Sequence, residues 1–387
     1  MLQGTRKICL GLAAGALVLG MAAAPESAFE AARLGLGIWW EIVVPALLPF
    51  FIATEVVMNT GVVHLAGVLL EPLMRPVFAL PGAASFALAV GYTSGYPVGA
   101  AVTARLRQQG LLTREEAERT ISFCNNASPL FMLVAVSVGM FGNSTLGPFI
   151  LAVHYASNLF IGIALGRLAP RPAAQPGRLY VAPVTVPPFG RMMGDAVSTA
   201  TKKILQVGGF IVLFAVVITL ARHFGLLDIP IRCLENALAA FGLAPELAPP
   251  LVSGLFEMTL GTRLAAEADA PLVHKLAAVQ AALAWSGLSI QAQIAAFVAD
   301  TDIRLRIYYL SRFCHVALAT LLTLLIFPRF EPYFTAVVST TSIVDIAADW
   351  WDTLLRAGIW ACLVPVLLLL GGVVCYLGRR LLHILKF

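Results

Sequence analysis

The chain has 387 residues, of which 59% are hydrophobic and 12% are charged. Soluble domains carry about 25% charged residues, so a chain of this composition must place much of its apolar surface against lipid rather than water. The formal net charge of +5 does not indicate nucleic-acid binding, because the basic residues form short clusters between apolar stretches, as in the loops of membrane proteins.

Apolar windows predict eight membrane crossings. They lie near residues 8–24, 38–58, 121–141, 147–167, 204–222, 276–298, 307–327 and 356–377. The N-terminal run resembles a secretion signal, but Pro25 directly follows its small residues, and we interpret 8–24 as a retained helix. Placing Arg6 and Lys7 in the cytoplasm puts the later basic clusters on the same side, so both termini are predicted to be cytoplasmic.

Two further apolar segments, 81–104 and 246–264, are interrupted by Gly, Pro and Ser. Non-helical backbone is tolerated at membrane depth only where protein buries it or where it lines a cavity, so both segments are predicted to be re-entrant hairpins. A broken helix follows each of them, at residues 125–129 and 284–289. The charge assignment gives the two units opposite orientations, which is typical of the inverted repeats of secondary transporters.

These features divide the chain into five parts. The parts are an N-terminal crossing with an interfacial segment (1–37), a first repeat (38–168), a Pro-rich cytoplasmic linker (169–203), a second repeat (204–328), and an interfacial segment with a C-terminal crossing (329–387). The predicted fold class is an all-α polytopic membrane protein with about eight transmembrane helices and two re-entrant hairpins in an inverted repeat.

Polar residues concentrate at the hairpins and at the breaks. An unsatisfied backbone group in hydrocarbon costs roughly 2–7 kcal/mol, and a half-helix N-terminus carries about half a positive charge, so such a site favours an anionic or carbonyl-bearing solute. The candidate substrate-binding residues are Ser94, Gly95, Tyr96, Asn125, Asn126, Ser128, Glu257, Thr259, Ser286, Ser289, Gln291 and Arg312.

Several candidates have a structural alternative. The tip around Ser94 is also compatible with a turn for close helix packing, and Asn125 and Asn126 with hydrogen bonds between helices. Glu257 either carries a coupling proton or holds a cation, or it is an interfacial carboxylate at a loop edge. Arg312 either binds an anion or extends to the inner interface.

Two further pairs of polar residues can be judged from their spacing. Gln291 and Gln293 lie two apart and face different sides of a helix, so we expect at most one of them to reach a site. His154 and Asn158 lie four apart, and we predict a packed, hydrogen-bonded pair rather than ligands.

Catalytic and nucleotide-binding motifs are missing from the sequence. It contains no GxxxxGK[ST] loop, no HExxH, no GxSxG elbow and no convincing catalytic carboxylate pair. We therefore predict a membrane transporter rather than an enzyme, with no cofactor and no metal. The coupling ion, sodium or proton, and the formation of a homo-oligomer stay open.

From about Trp39 to Phe327 the chain resembles the YlbJ-like sporulation integral membrane proteins, which belong to the wider nucleoside-recognition Gate domain families. The resemblance is carried by five segments in order, GYTSGYPVGA, LLTREEAERTISFCNNASPLFMLVAVSVGMFGN, HYASNLFIG, GLFEMTLG and WSGLSIQAQ. It implies a fold similar to concentrative nucleoside transporters, with hairpins that meet at the midplane. It also implies a role in endospore formation, moving dipicolinate from the mother cell across the outer forespore membrane.

The predicted function is a secondary transporter for dipicolinate or a similar small carboxylate that works by alternating access. Its partners would be a small anionic substrate and the lipid bilayer, without nucleic acid. Dipicolinate is a planar dianion, so facing half-helix N-termini suit its carboxylates, and Tyr96 or Phe256 could stack on its ring. A nucleoside-type carrier and a non-transporting sporulation scaffold are the alternatives.

Overall fold

The computed structural model describes residues 2–60, 74–169 and 188–335, and these residues form helices joined by short turns, with no strand among them. The predicted all-helical fold class is confirmed over these ranges. The predicted crossing 356–377 lies outside them. The α-helices are α1 (Leu2–Ala23), α2 (Pro25–Ile38), α3 (Val44–Thr60), α4 (Ala83–Ser94), α5 (Val98–Gln108), α6 (Arg114–Cys124), α7 (Leu146–Leu168), α8 (Phe189–His223), α9 (Asp228–Ala240), α10 (Ala248–Phe256), α11 (Met258–Glu267), α12 (Leu272–Trp285), α13 (Gly287–Val298) and α14 (Arg306–Thr335).

Within the described ranges, four helical segments are long and apolar enough to cross a membrane: α7, α8, α12 with α13, and α14. They contain the predicted crossings 147–167, 204–222, 276–298 and 307–327. A fifth is present if Gly11–Ala23 and Pro25–Val43, which are bent by 106°, form one span. Helix α2 occupies the predicted interfacial segment, and Pro25 starts it without loss because a first-turn N–H has no partner within the helix.

Helix α8 begins well before the predicted start at residue 204 and extends into the segment predicted as a linker. Its first turns carry too many polar residues for a hydropathy window to include them. They nevertheless bury Met192, Ala196 and Ala200 at four-residue spacing, which is the repeat of an amphipathic helix. Packing of this apolar stripe therefore extends the helix beyond the apolar stretch that was predicted to cross the membrane.

Both segments predicted to be re-entrant are helical hairpins. In the first hairpin, α4 and α5 are joined by residues 95–97; in the second, α10 and α11 are joined by Glu257 alone. The helices of each pair approach at glycines. A Cβ on Gly91 would overlap the carbonyl oxygen of Cys124, and one on Gly261 would overlap the Cα of Gly254. Neither position has room for a side chain.

We expect Gly261→Ala to destabilise the protein by about 1–3 kcal/mol, the usual cost of overpacking. Gly209→Ala is the matched control, because a Cβ there meets no heavy atom within 4 Å, and replacing a helical glycine by alanine is favourable by up to about 1 kcal/mol. Thermal melting of both variants in one detergent measures the difference. A Gly261→Ala protein that melts at or above the Gly209→Ala protein would contradict the packing argument.

The two predicted breaks are confirmed. Helix α6 ends at Cys124, where Asn125 is extended, and a π-helix resumes at Phe131–Met140. In the second half, Ser286 separates α12 from α13 with a positive φ of 69°. The order of hairpin, broken helix and long helix thus occurs twice along the chain, ending in α7 and in α14. The opposite orientation of the two units stays a prediction.

Candidate functional site

Each hairpin tip lies against the broken helix of its own half. A Cβ on Gly95 would lie 2.7 Å from the backbone nitrogen of Ser128 in the first break. In the second half, a Cβ on Gly287 would lie 2.9 Å from the nitrogen of Met258, just after the tip residue Glu257. Both glycines have positive φ, 78° and 70°, a conformation that glycine adopts without steric cost. Within each half, the hairpin tip and the break of the following helix are therefore in direct backbone contact.

Residues of the two halves also meet. The hydroxyl of Tyr96, in the first hairpin tip, donates to the carbonyl oxygen of Leu283 at 2.8 Å, just before the second break. In the other direction, α14 inserts Arg312 at the first break. The predicted candidates therefore form one group around the first break (Ser94, Gly95, Asn125, Asn126, Ser128 and Arg312) and one around the second (Glu257, Thr259, Ser286, Ser289 and Gln291), with Tyr96 joining them.

Arg312 is fully buried, so the alternative that its side chain extends to the interface is wrong. Its guanidinium closes the C-terminal end of α6. Nη2 donates to the carbonyl oxygen of Ser122 at 2.7 Å and to Oδ1 of Asn158 at 3.0 Å, while Nη1 donates to the carbonyl oxygen of Asn125 at 3.1 Å. The ring of Tyr308 lies beneath it, 5.3 Å from Cζ.

The charge of Arg312 is only partly balanced. The C-terminus of a helix carries about half a negative charge, so α6 offsets about half of the guanidinium charge. None of the ion pairs formed by the described residues includes Arg312, and its Nε has no hydrogen-bond partner. Because a buried charge without a counter-charge costs several kcal/mol, this position favours the entry of an anion.

The two adjacent asparagines have different roles, although the sequence analysis gives both the same interpretation. Oδ1 of Asn125 accepts from the backbone N–H of Ala100 at 2.9 Å, and its Nδ2 donates to the carbonyl oxygen of Ile121 at 3.1 Å. Asn126 donates to the carbonyl oxygen of Phe123 at 3.1 Å, but its buried Oδ1 has no partner. Asn125 therefore fastens the first hairpin to the break, and Asn126 keeps one atom for a further contact.

Glu257 is the N-cap of α11 and is buried rather than placed at a loop edge. Its Oε2 accepts from the backbone N–H of Leu260 at 2.6 Å. A carboxylate at this position offsets the partial positive charge of the helix N-terminus. The carboxyl group of Glu257 therefore already occupies the N-terminus of α11, and this helix end is a poorer receptor for a substrate anion than the sequence suggested.

At the second break, two nearby side chains donate hydrogen bonds to one backbone carbonyl group. Nε2 of Gln291 and Oγ of Ser286 both donate to the carbonyl oxygen of Trp285, at 3.0 and 2.5 Å. Gln291 and Gln293 are both buried. These bonds satisfy the carbonyl that the break releases.

The predicted bond between His154 and Asn158 is wrong. Asn158 donates to the carbonyl oxygen of Phe123 at 2.5 Å and to the hydroxyl of Tyr92 at 2.9 Å, besides accepting from Arg312. The ring of His154 packs on that of His315 instead, with centroids 4.5 Å apart. Both partners come from distant segments, so a shared helix face could not reveal them.

Other site residues were missed by sequence reasoning. The hydroxyl of Tyr155 donates to the carbonyl oxygens of Tyr92 and Ala127, at 2.7 and 3.1 Å, and so ties α7 to both the first hairpin and the first break. Aromatic residues within apolar spans usually belong to the core, which hides such a role. His315 could have been found from the sequence, because it lies three residues after Arg312 in an apolar helix and so on the same helix face.

Two ion pairs join the halves outside this buried region. Arg107 of α5 binds Asp302 through two bonds of 2.8 Å, and Arg304 binds Glu118 of α6 at 2.8 Å. Asp302 and Arg304 belong to the turn before α14. The hydrogen bond from Arg107 holds the pKa of Asp302 below its usual value. This contribution to stability is therefore present above the usual aspartate pKa and is lost as pH falls through the lower pKa of the folded protein.

We expect the double variant Asp302→Asn, Glu118→Gln to label faster with a maleimide at Cys124, which is buried at the end of α6. Loss of both ion pairs frees the turn before α14 from α5 and α6. The measurement uses a protein whose other cysteines are replaced by serine. Glu30→Gln is the control, because its exposed pair with Arg33 lies within one helix. Equal labelling rates in the double variant and the control would show that these pairs do not close the site.

The arrangement is closed to solvent. Asn125, Asn126, Ser286 and Arg312 all have 0% exposed surface. Two clefts lie elsewhere, one of ≈ 840 Å³ between α2 and α11 and one of ≈ 550 Å³ between α1, α2 and α8, and none of the candidate residues lines either of them. In this conformation these four residues are therefore not accessible to a solute.

Comparison with known proteins gives three findings. The model of the Gate family, described as nucleoside recognition, matches residues 40–144 and 204–301, one segment in each half. A curated relative, the sporulation integral membrane protein YlbJ of Bacillus subtilis (strain 168), is 40% identical over 328 residues, covering 81% of this chain and 80% of the relative. A solved outward-facing structure of a CNTnw variant aligns with 83% of this chain and 85% of its own, at 14% identity and a TM-score of 0.45.

Proposed function

The chain belongs to the nucleoside-recognition Gate family and, within it, to the YlbJ-like sporulation integral membrane proteins, and from this premise we propose that it is a secondary transporter of dipicolinate or a similar small carboxylate. As a member of that family it is a multi-pass integral membrane protein. The proposed place of action is the outer forespore membrane during endospore formation, with both termini in the cytoplasm. Transport, rather than catalysis, is the proposed activity.

The observation that carries the proposal is the buried guanidinium of Arg312, which has no carboxylate partner among the described residues. A neutral solute would leave this charge as it is. An anion would balance it, and two buried donors are available, Nε of Arg312 and the hydroxyl of Tyr308. Because a planar dicarboxylate offers an acceptor at each end, it can use both donors at once.

Aromatic side chains support an aromatic anion over an aliphatic one. The ring of Tyr308 lies against Arg312, and Tyr96 reaches from the first hairpin to the second half beside the same break. A pyridine ring placed between such side chains would gain stacking energy of about 0.5–1.5 kcal/mol per aromatic pair. The site is built from both halves, so movement of one half against the other would change access to it, as alternating access requires.

One observation favours the second candidate, a nucleoside carrier. The unpaired Oδ1 of Asn126 needs a hydrogen-bond donor or a cation, and a nucleoside carries hydroxyl and amino donors whereas dipicolinate carries none. If dipicolinate is the substrate, as we propose, this oxygen would accept a hydrogen bond from water. The two functions therefore differ in the class of solute that binds with higher affinity.

Binding of dipicolinate, isophthalate and uridine to the purified protein, with sodium and pH varied, tests the proposal. We expect dipicolinate to bind, isophthalate to bind as well because it carries the same pair of carboxylates, and uridine not to compete. Saturable uridine binding without dipicolinate binding would replace the proposal by the nucleoside carrier. Binding of none of the three would favour the scaffold and end the transport proposal.

A further inference from the structure

Several buried polar atoms without hydrogen-bond partners lie in one region, where α7, α12 and α14 pack together. Both ring nitrogens of His154, Oε1 of Gln280 and Nε of Arg312 are unpaired. Their residues are linked by contacts, because Nε2 of Gln280 donates to the carbonyl oxygen of Ile150 one turn before His154, and His154 packs on His315. Buried polar groups normally have hydrogen-bond partners, so a cluster of unpaired polar atoms in one region is a candidate functional site.

The protonation state of His315 follows from its partners. Its Nε2 lies 3.0 Å from the carbonyl oxygen of His154, and because a carbonyl can only accept, this nitrogen carries the hydrogen. Its Nδ1 faces Nη1 of Arg312 at 3.4 Å. A guanidinium has only donors, so Nδ1 must be the acceptor. His315 is therefore neutral and satisfied, and a second proton on it would oppose Arg312.

His154 differs because neither of its ring nitrogens is occupied. The titratable groups that face it are Arg312 and His315 from α14, and Tyr155 from α7, whose ring centroid is 6.0 Å away. Helix α12 contributes the neutral amide of Gln280, and the carbonyl oxygen of Ser122 in α6 is bound to Arg312. A proton on His154 would thus be a second positive charge beside Arg312, with an unpaired amide oxygen available near it.

We propose that His154 is the proton-binding site that couples proton movement to movement of the anion, an inference that rests on the proposed function. In this scheme His154 is neutral while the site is empty, because a proton there would be a second positive charge beside Arg312 and His315, which contact each other. When a dianion binds at Arg312, the local charge becomes negative, and His154 takes up a proton from the side to which the site is open. By linkage, the proton then strengthens anion binding by the same factor. The anion and the proton leave together on the other side, and His154 returns neutral.

Isothermal titration calorimetry of dipicolinate binding, repeated in buffers of different ionisation enthalpy, counts the protons taken up. Dipicolinate is a dianion between pH 6 and 7, so it contributes no titration of its own. We expect the wild type to take up about one proton per dipicolinate, and its affinity to fall about tenfold as pH rises from 6 to 7. In His154→Gln, uptake should fall to near zero and the pH dependence should disappear. His223→Gln, an exposed histidine at the end of α8, is the matched control and should keep the wild-type uptake.

The outcomes separate this inference from the proposed function. Binding of dipicolinate by the wild type without proton uptake would overturn the role of His154 and leave anion transport intact. Absence of binding would end both. If His154→Gln does not fold, His154→Asn and the wild-type count still decide the matter. Proton uptake that persists in the His154 variants and vanishes in Glu257→Gln would place the proton at the cap of α11 and overturn the inference.

Discussion

Arg312→Gln is expected to weaken dipicolinate binding by about 10- to 150-fold, because it removes a charge-assisted contact worth about 1.5–3 kcal/mol. Arg312→Lys should recover part of this loss, since it keeps the charge but not the planar fork of donors. Binding to purified protein measures both variants. The wild type, with Arg312 fully buried and its Nε unpaired, provides the reference affinity.

The same substitution also affects the fold, so it needs a control. Removing the guanidinium leaves the carbonyl oxygen of Asn125 without this donor, while that of Ser122 still accepts from the hydroxyl of Ser311, and an unsatisfied buried group costs about 1–3 kcal/mol. Melting temperatures in the same detergent separate the two effects. Arg329→Gln is the matched variant, because Arg329 lies on the same helix but is exposed; its binding should equal that of the wild type. An Arg312→Gln protein that binds dipicolinate within threefold of the wild type would exclude Arg312 from the site.

Asn125→Ala and Asn126→Ala are expected to have different effects on stability although the residues are neighbours. Truncating Asn125 leaves the N–H of Ala100 and the carbonyl oxygen of Ile121 unpaired, so we expect a loss of about 1–3 kcal/mol. Truncating Asn126 removes an oxygen that has no partner, together with the bond to Phe123. The free energy of unfolding should therefore change little in Asn126→Ala.

Transport by the two variants completes the test. Asn126→Ala, with its fold intact, should transport labelled dipicolinate more slowly in reconstituted vesicles if its free oxygen contacts the solute or its water. Unchanged transport would remove Asn126 from the site. Equal melting temperatures for the two variants would contradict the assignment of Asn125 as the residue that fastens the first hairpin to the break.

The hairpins and the broken helices could be predicted from the sequence because their signals are local. Glycines at 91, 95 and 99 and the Asn-Asn-Ala-Ser-Pro run interrupt otherwise apolar stretches, and only a buried, functional backbone tolerates such interruptions in a membrane. The start of α8 could not be predicted in the same way. Its first turns are polar, and the apolar stripe that keeps them helical is visible only as a four-residue repeat.

The site was predicted as a set of residues but not as a set of contacts. Arg312 was a candidate for either the site or the interface, and only its bonds to residues more than 150 positions away decide between them. The difference between Asn125 and Asn126 depends on the N–H of Ala100 in another helix. Long-range partners of this kind leave no periodic pattern in a single sequence.

The bond between Nη2 of Arg312 and the carbonyl oxygen of Ser122 joins residues 190 positions apart. At the usual elongation rates of about 5–20 residues per second, a ribosome makes Arg312 roughly 10–40 seconds after Ser122. During this interval the end of α6 still lacks its guanidinium. Completion of the first half therefore waits for the synthesis of α14.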